Sequence, residues 1–482
     1  MRAQFVRQRP DFGQTSLLIL FLLIAVAVGA AVPTNQNLAF AILVGALSFF
    51  VLLVQPWTIV MMAVFSVLTF KGMSTLGIVP SISSFLDIPL VWSALGAAIL
   101  RVKLLDRQTM NSDGRSLLVA LGALAASALL SSVINQTEIL RPILYIALLG
   151  QPFALIAALA IASPSPAAYT RLRTVTAGLL LIQIPFTFFQ AAAYGFGDEV
   201  KGTLVGAGAG HHVVGAICLT GAIWVFANSR SPLTIRTPLA LMLIAVPFLS
   251  DAKQVILAAP AMLLVSGWRK RLSTGVTKAA LISMLLLIML VALPAGEAAL
   301  QFLRQGAEGR GGKSAALRFI ANEINSNPMQ LVVGLGPGTT VSRTAFMTTD
   351  LLLLEDSPLR SLNLKPAEIA IRAEAEAERL SGGRTSFNSA QSSAIGLFGD
   401  LGILGSVSFS LLLFRTFRYL RKGSHPELAV AAASGWAIYT ALGFVFDWWE
   451  QPPFTVFIAT LAALSAHPTQ APGTDTLEQR IH

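Results

Sequence analysis

A single cysteine, Cys218, occurs among the 482 residues. That excludes a disulfide framework and any zinc or iron–sulfur site built on cysteine. It sits in an apolar run, where it reads as a small buried hydrophobe. Charge is scarce as well. Asp, Glu, Lys and Arg make up 12% of the chain, half of the ~25% usual in a soluble domain. A deficit of that size excludes an ordinary cytosolic enzyme, a disordered protein and a collagen-like fibre. No HExxH, no Cys/His cluster and no DxD pattern is present, so neither a metal nor another cofactor is expected.

Apolar residues are what the chain has in excess. They reach 54%, and the mean hydropathy is +0.69. The length alone would fit about three soluble domains, but this composition fits a polytopic membrane protein. A helix crosses the bilayer core with ~20 apolar residues, fewer inside a bundle. Such runs lie near 16–32, 38–54, 57–70, 85–100, 116–134, 142–162, 174–194, 211–228, 238–250, 254–267, 279–294, 390–414, 427–445 and 454–466. The short pair 238–250 and 254–267 also fits one hairpin dipping into the membrane. The first run follows a basic start and mimics a secretory signal. It is long for one, so an uncleaved first helix is expected.

The net charge of +10 is distributed unevenly. With the N-terminus inside, the inner segments hold Arg2, Arg7, Arg9, Arg101, Lys103, Arg107, Arg115, Arg171, Arg173, Arg230 and Arg236. They also hold Arg269, Lys270, Arg271, Lys278, Arg415, Arg418, Arg421, Lys422 and Arg480, twenty in all. The short outer loops hold four: Lys71, Arg141, Lys201 and Lys253. The positive-inside rule then places both termini in the cytoplasm. The basic inner face should contact anionic membrane lipid, and it accounts for the charge without nucleic acid. The expected fold is an all-α transmembrane bundle of about 12–14 spans. It divides into a bundle at 1–294, a large outer loop at 295–389 and further helices with a tail at 390–482.

That loop carries ten basic and ten acidic residues, a neutral, solvated unit too long to lack a role. Ser314 is placed to cap a helix bearing Leu317, Ile320 and Ile324 on one face, ended by Pro328. Pro366 suits the first turn of a second helix with a Glu368–Arg372 pair, stopped by Gly382-Gly383. Its Glu374, Glu376 and Glu378 read as a solvated face. Between the two helices, Gly334, Gly336 and Gly338 allow either a tight turn or a bend whose N–H groups cradle phosphate. No Gly-Lys-Ser/Thr follows them, so this is not a P-loop.

Polarity gathers at helix ends expected outside. One group is Asp198, Glu199, Lys201 and the pair His211-His212. Another is Ser250-Asp251-Ala252-Lys253-Gln254, a charged break between two apolar runs. Polar residues at membrane depth are costly and point to function. Adjacent histidines on a helix point about 100° apart, so they suit a donor or base rather than a shared metal. Asp87 and Asp400 lie in or near spans with no partner evident in the sequence. Ion-coupled transport would use such carboxylates, but two are few for it.

Taken together, the chain resembles the O-antigen polymerase/O-antigen ligase superfamily of bacterial envelope glycosyltransferases. The likeness rests on many spans with one large late outer loop. Within the loop it rests on Gly309-Arg310 before a helix, Asn327-Pro328, and the glycines at 334, 336 and 338. At the loop exit it rests on Phe387-Asn388-Ser389, then Gly399-Asp400-Leu401-Gly402-Ile403-Leu404-Gly405. The 250–253 break resembles the family's Ser-x-x-Arg element, with Lys253 where arginine is common. Lys201 likewise stands for arginine, and Phe387 for histidine.

The resemblance implies a donor glycan on undecaprenyl pyrophosphate, and a glycan or lipid-core acceptor, at the outer face of the inner membrane. A chain-length regulator protein is a further implied partner. Lys201, Lys253, Arg310, Arg318 and Arg343 would bind the leaving pyrophosphate. His211, His212 or Asp251 would act as base. Gly334, Gly336, Gly338 and Asn388 would position loop and acceptor. Polymerisation of repeat units is the leading expectation and ligation of finished polymer the alternative. A transporter or flippase is the reading of another class.

Overall fold

The computed structural model describes residues 54–79, 85–102, 110–163, 165–205, 209–228, 231–262, 311–325, 327–349, 364–381 and 389–467, with a few single positions between them. Every regular element in these residues is helical. In chain order these are α1 (Pro56–Thr75), α2 (Asp87–Leu100), α3 (Ser112–Ile134), α4 (Leu140–Ile161), α5 (Pro166–Leu181), α6 (Gln183–Tyr194), α7 (Gly210–Ala227), α8 (Leu233–Leu249) and α9 (Lys253–Ala258). The long loop before Ser389 holds α10 (Gly312–Asn325), α11 (Pro328–Val333), α12 (Arg343–Thr348) and α13 (Glu368–Ser381). Then come α14 (Ser393–Arg421), α15 (Pro426–Val445), a 3-10 turn (Trp448–Glu450) and α16 (Pro452–Ala466).

Six of the described helices are long and apolar enough to cross a membrane, or up to eight if two bent pairs each form one span. This is a multi-pass, all-helical membrane protein. The expected spans 16–32 and 279–294, and nearly all of 38–54, lie outside the described residues. The bent pairs have local causes. α4 turns by 63° between Leu149 and Gln151, next to Pro152, which has no N–H to donate to the preceding turn. α8 and the chain from Lys253 to Met262 meet at 119°, so the two short expected spans form a sharp hairpin. At its tip Asp251 takes a positive φ of 48°.

α7 lies deepest, packed on α8 and α15, and α16 joins α15 to α4. Small residues permit the close crossings: Gly221 faces Leu180 and Gly435 faces Ile458. The two ends of the bundle differ. At one end Lys422 reaches Asp113 at 2.6 Å, Arg173 lies 3.7 Å from Glu427, and Arg101 donates to the Gln55 side chain at 3.1 Å. The long loop docks on the opposite end.

α14 is broken at Gly402 (φ 62°, ψ −155°). A helix break leaves carbonyls without partners, which is costly where water is absent. Here the loop supplies the donors: Leu335 N donates to Gly399 O at 2.8 Å and Gly336 N to Asp400 O at 3.1 Å. A Cβ on Gly402 would meet the Val332 carbonyl at 2.6 Å. Only glycine fits there, by both φ and space.

The loop has a small core of its own, built on Ala316, Ile320 and Ile324 of α10 and Ala370, Ala373 and Ala377 of α13. Four details differ from expectation. α10 begins at Gly312, so Ser314 lies inside it rather than capping it, and Leu317 is exposed. Ala316, i−4 from Ile320, takes the place of Leu317 on the buried stripe. Arg372 lies 3.4 Å from Glu323 across the helix pair, in place of Glu368. Glu374 is buried rather than solvated, and it accepts from Ala390 N at 2.7 Å and Ser389 Oγ at 3.2 Å. It thereby holds the returning chain to α13.

Candidate functional site

At the loop end of the bundle, Asp400 is fully buried and accepts from the glycine loop. Gly338 N donates to Oδ2 at 2.9 Å. Thr339 N, Thr340 N and Thr340 Oγ1 donate to Oδ1 at 3.1, 2.8 and 2.7 Å. The loop therefore does cradle an anion, but the anion is the protein's own carboxylate. Its N–H groups at 335, 336, 338, 339 and 340 are all engaged, which corrects the phosphate-cradle reading in favour of the tight turn. Asp87 is also partnered, accepting from Gln151 Nε2 at 2.6 Å. Both intramembrane carboxyls thus have partners that the sequence did not reveal.

Arg141, three residues beyond Glu138, is buried and ties the loop down. It donates to Gly338 O at 2.7 Å, to Lys365 O, and to Glu138 at 3.3 Å.

Lys201 is positioned by two glutamines of α6. Gln190 Oε1 accepts from Lys201 N at 2.9 Å and Gly202 N at 2.7 Å, and Gln190 Nε2 donates to Gly202 O at 2.9 Å. Gln183 Oε1 accepts from Thr203 N at 3.0 Å. These two amides replace water for a backbone turn set among apolar helices. Lys201 itself pairs with Glu199 at 3.3 Å.

His211 and His212 open α7, both buried, with ring centroids 3.8 Å apart. The rings are tilted by 46° and lie in contact rather than diverging fully. His211 Nε2 lies 3.4 Å from Asp198 Oδ1. The Nδ1 atoms of both rings are buried without a hydrogen-bond partner among the described residues. Lys253 pairs with Asp251 at 2.6 Å, and both side chains are partly exposed. The charges of Lys201, Asp251, Lys253 and Asp198 all act on His211. Lys201, His211, His212, Asp251 and Lys253 therefore come together from three separate segments.

The neighbouring Gln254 accepts from Trp448 Nε1 at 2.8 Å. This joins the cluster to the 3-10 turn, where Asp447 receives Arg343 Nη1 at 2.7 Å. Glu450 accepts from Arg343 N at 3.2 Å, and from Thr344 N and Oγ1 at 2.9 and 2.7 Å. It thus satisfies the free N-terminal N–H groups of α12. Lys313 of α10 donates to Gln391 O and lies 5.5 Å from the Phe446 ring, fastening the loop to the same turn.

Burial pushes the Glu450 carboxyl up to about 7 from an ordinary 4.5. The folded protein then holds this proton more tightly than the unfolded chain does. The stability it confers is full below about pH 4.5 and is lost as pH rises toward 7, by roughly 3 kcal/mol at most. Melting temperature should fall over that range in the wild type, and Glu450→Gln should flatten the fall. Parallel pH profiles for the two proteins would exclude Glu450 as the group concerned.

Arg318 lies elsewhere, in a cleft between α10 and α13. Arg310 and Asn388 lie outside the described residues. Gln183, Gln190, Asp447 and Glu450 are the residues that sequence reading passed over, and Arg141 was read only as a loop charge. A signal existed for two of them: Asp447-Trp448-Trp449-Glu450 is a charged break between two apolar runs, as 250–254 is. Among the described residues, no three His, Cys, Asp or Glu side chains converge as metal ligands would. No family model matches the chain, and no curated protein sequence matches it.

Proposed function

We propose that the protein transfers glycosyl units at the outer face of a bacterial inner membrane, polymerising repeat units carried on undecaprenyl pyrophosphate. The observation that supports this reading is the convergence of Lys201 and Lys253 with His211, His212 and Asp251 at one end of an apolar bundle. On this reading the basic residues near Asp113, Glu427 and Gln55 face the cytoplasm, as the positive-inside rule favours, and the cluster and the long loop face the periplasm.

The chemistry follows from the charges. An acceptor hydroxyl attacks the anomeric carbon, and the bond from that carbon to the pyrophosphate oxygen breaks. Negative charge grows on the leaving pyrophosphate, and the ammonium groups of Lys201 and Lys253 stabilise it where water is partly excluded. The hydroxyl proton passes to Asp251 or to an imidazole of the histidine pair. The donor is already an activated ester, so neither ATP nor a metal is required.

The size of the glycan on the lipid carrier in a deletion strain tests this. Single repeat units accumulating on undecaprenyl pyrophosphate are expected. Long chains stranded on the carrier would instead assign ligation, and an unchanged glycan profile would favour a transporter.

A further inference from the structure

α10 and α13 share an alanine-rich core, and beside it they leave a cleft of about 580 Å³. Arg318, Phe319 and Asn322 wall one side and Arg372, Glu376 and Arg379 the other, at helical spacing on the two facing stripes. Ala315 and Ala375 leave the space open. Helices that met only to bury apolar area would carry apolar side chains on both stripes. Here small residues and long guanidinium groups keep an open volume in the range of small-ligand sites, about 300–1,000 Å³.

The charges in the cleft are arranged and not merely scattered. Arg379 donates to Glu376 at 2.9 and 2.7 Å. Arg372 lies 3.4 Å from Glu323 and 5.4 Å from the Phe319 ring centroid. Arg318 lies within the field of Glu376. Counting Glu323 with the lining Glu376, three arginines face two carboxylates and leave one positive charge in excess. Guanidinium forks match carboxylates in bidentate geometry. Asn322 adds a donor and an acceptor suited to hydroxyls, and Phe319 and Leu380 offer apolar surface for a sugar ring.

We propose that this cleft binds an acidic glycan segment, a sugar carboxylate seated among Arg318, Arg372 and Arg379. This rests on the reading that the protein handles glycans, and it adds a separate loop site for an acidic substrate. The test is binding of a fluorescent oligogalacturonate to the purified full-length protein in detergent, with a neutral maltohexaose and inorganic phosphate as competitors. Oligogalacturonate should bind, and neither competitor should displace it at equal concentration. Arg318→Gln/Arg372→Gln should weaken binding at least about tenfold while melting as the wild type does, because exposed ion pairs contribute little to stability. No binding, equal affinity in the double variant, or displacement by either competitor would overturn the proposal. The deletion-strain glycan profile is independent of this assay. Accumulated repeat units without oligogalacturonate binding would sink the cleft alone, and binding with an unchanged profile would sink the polymerase reading alone.

Discussion

Asp400→Asn is expected to destabilise the folded protein by about 2–4 kcal/mol and to shift the detergent-purified protein toward aggregated species. Both carboxylate oxygens act as acceptors here: Oδ2 for Gly338 N, and Oδ1 for Thr339 N, Thr340 N and Thr340 Oγ1. An amide has one acceptor. Whichever way it is turned, its NH₂ faces a backbone N–H that has no water to turn to. The damage does not stop at the loop. The same turn supplies Leu335 N and Gly336 N to the break in α14, so loosening the loop uncovers carbonyls inside the bundle. Thr340→Val removes a single donor and should cost about 1 kcal/mol. Thermal melts of the two variants beside the wild type check the ordering. An Asp400→Asn protein melting with the wild type would show that the carboxylate charge contributes nothing at this position.

Lys253→Ala is expected to reduce polymer formation at least about 100-fold, the size of effect seen when one charge-stabilising group is removed from a transition state. Insertion and stability should survive. Lys253 and its partner Asp251 are both partly exposed, so Asp251 left alone can be hydrated, and a partly solvated pair contributes little to folding. Lys253→Arg keeps the charge and should retain much of the activity, although a planar fork and a point charge present their donors differently. The measurement is the polymer made by a deletion strain carrying each variant at matched membrane abundance. Near-normal polymer from Lys253→Ala would remove this residue from the site.

How far the sequence could be read depends on the range of the physics. Membrane spans were legible because a helix in lipid satisfies its own backbone, so each apolar run declares itself locally. The short runs on either side of 250–254 left two spans and one hairpin both open, and the structure bends them by 119°. The charged break there marked Asp251 and Lys253, since charge amid apolar residues has a local cost. The two long loop helices were found from propensity and spacing, while the six-residue α11 and α12 were not. The buried face of α10 was placed one residue off, because leucine and alanine both read as apolar and only packing against α13 selected Ala316.

What only the tertiary structure decided is the pairing of groups freed by broken elements. Gln183 and Gln190 look like polar interruptions of an apolar run until Lys201, Gly202 and Thr203 are laid against them. Glu374 alternates with the half-buried Glu376 and the exposed Glu378, and what buries it is the chain that returns at Ser389 and Ala390. The glycine loop could have held a phosphate, and Asp400 could have been a transport carboxylate. Sequence alone determined that the loop could bend and that Asp400 needed a partner. Folding decided that each satisfies the other across 60 or more residues. A buried acceptor requires donors but does not specify which ones, and the break at Gly402 brought these within reach.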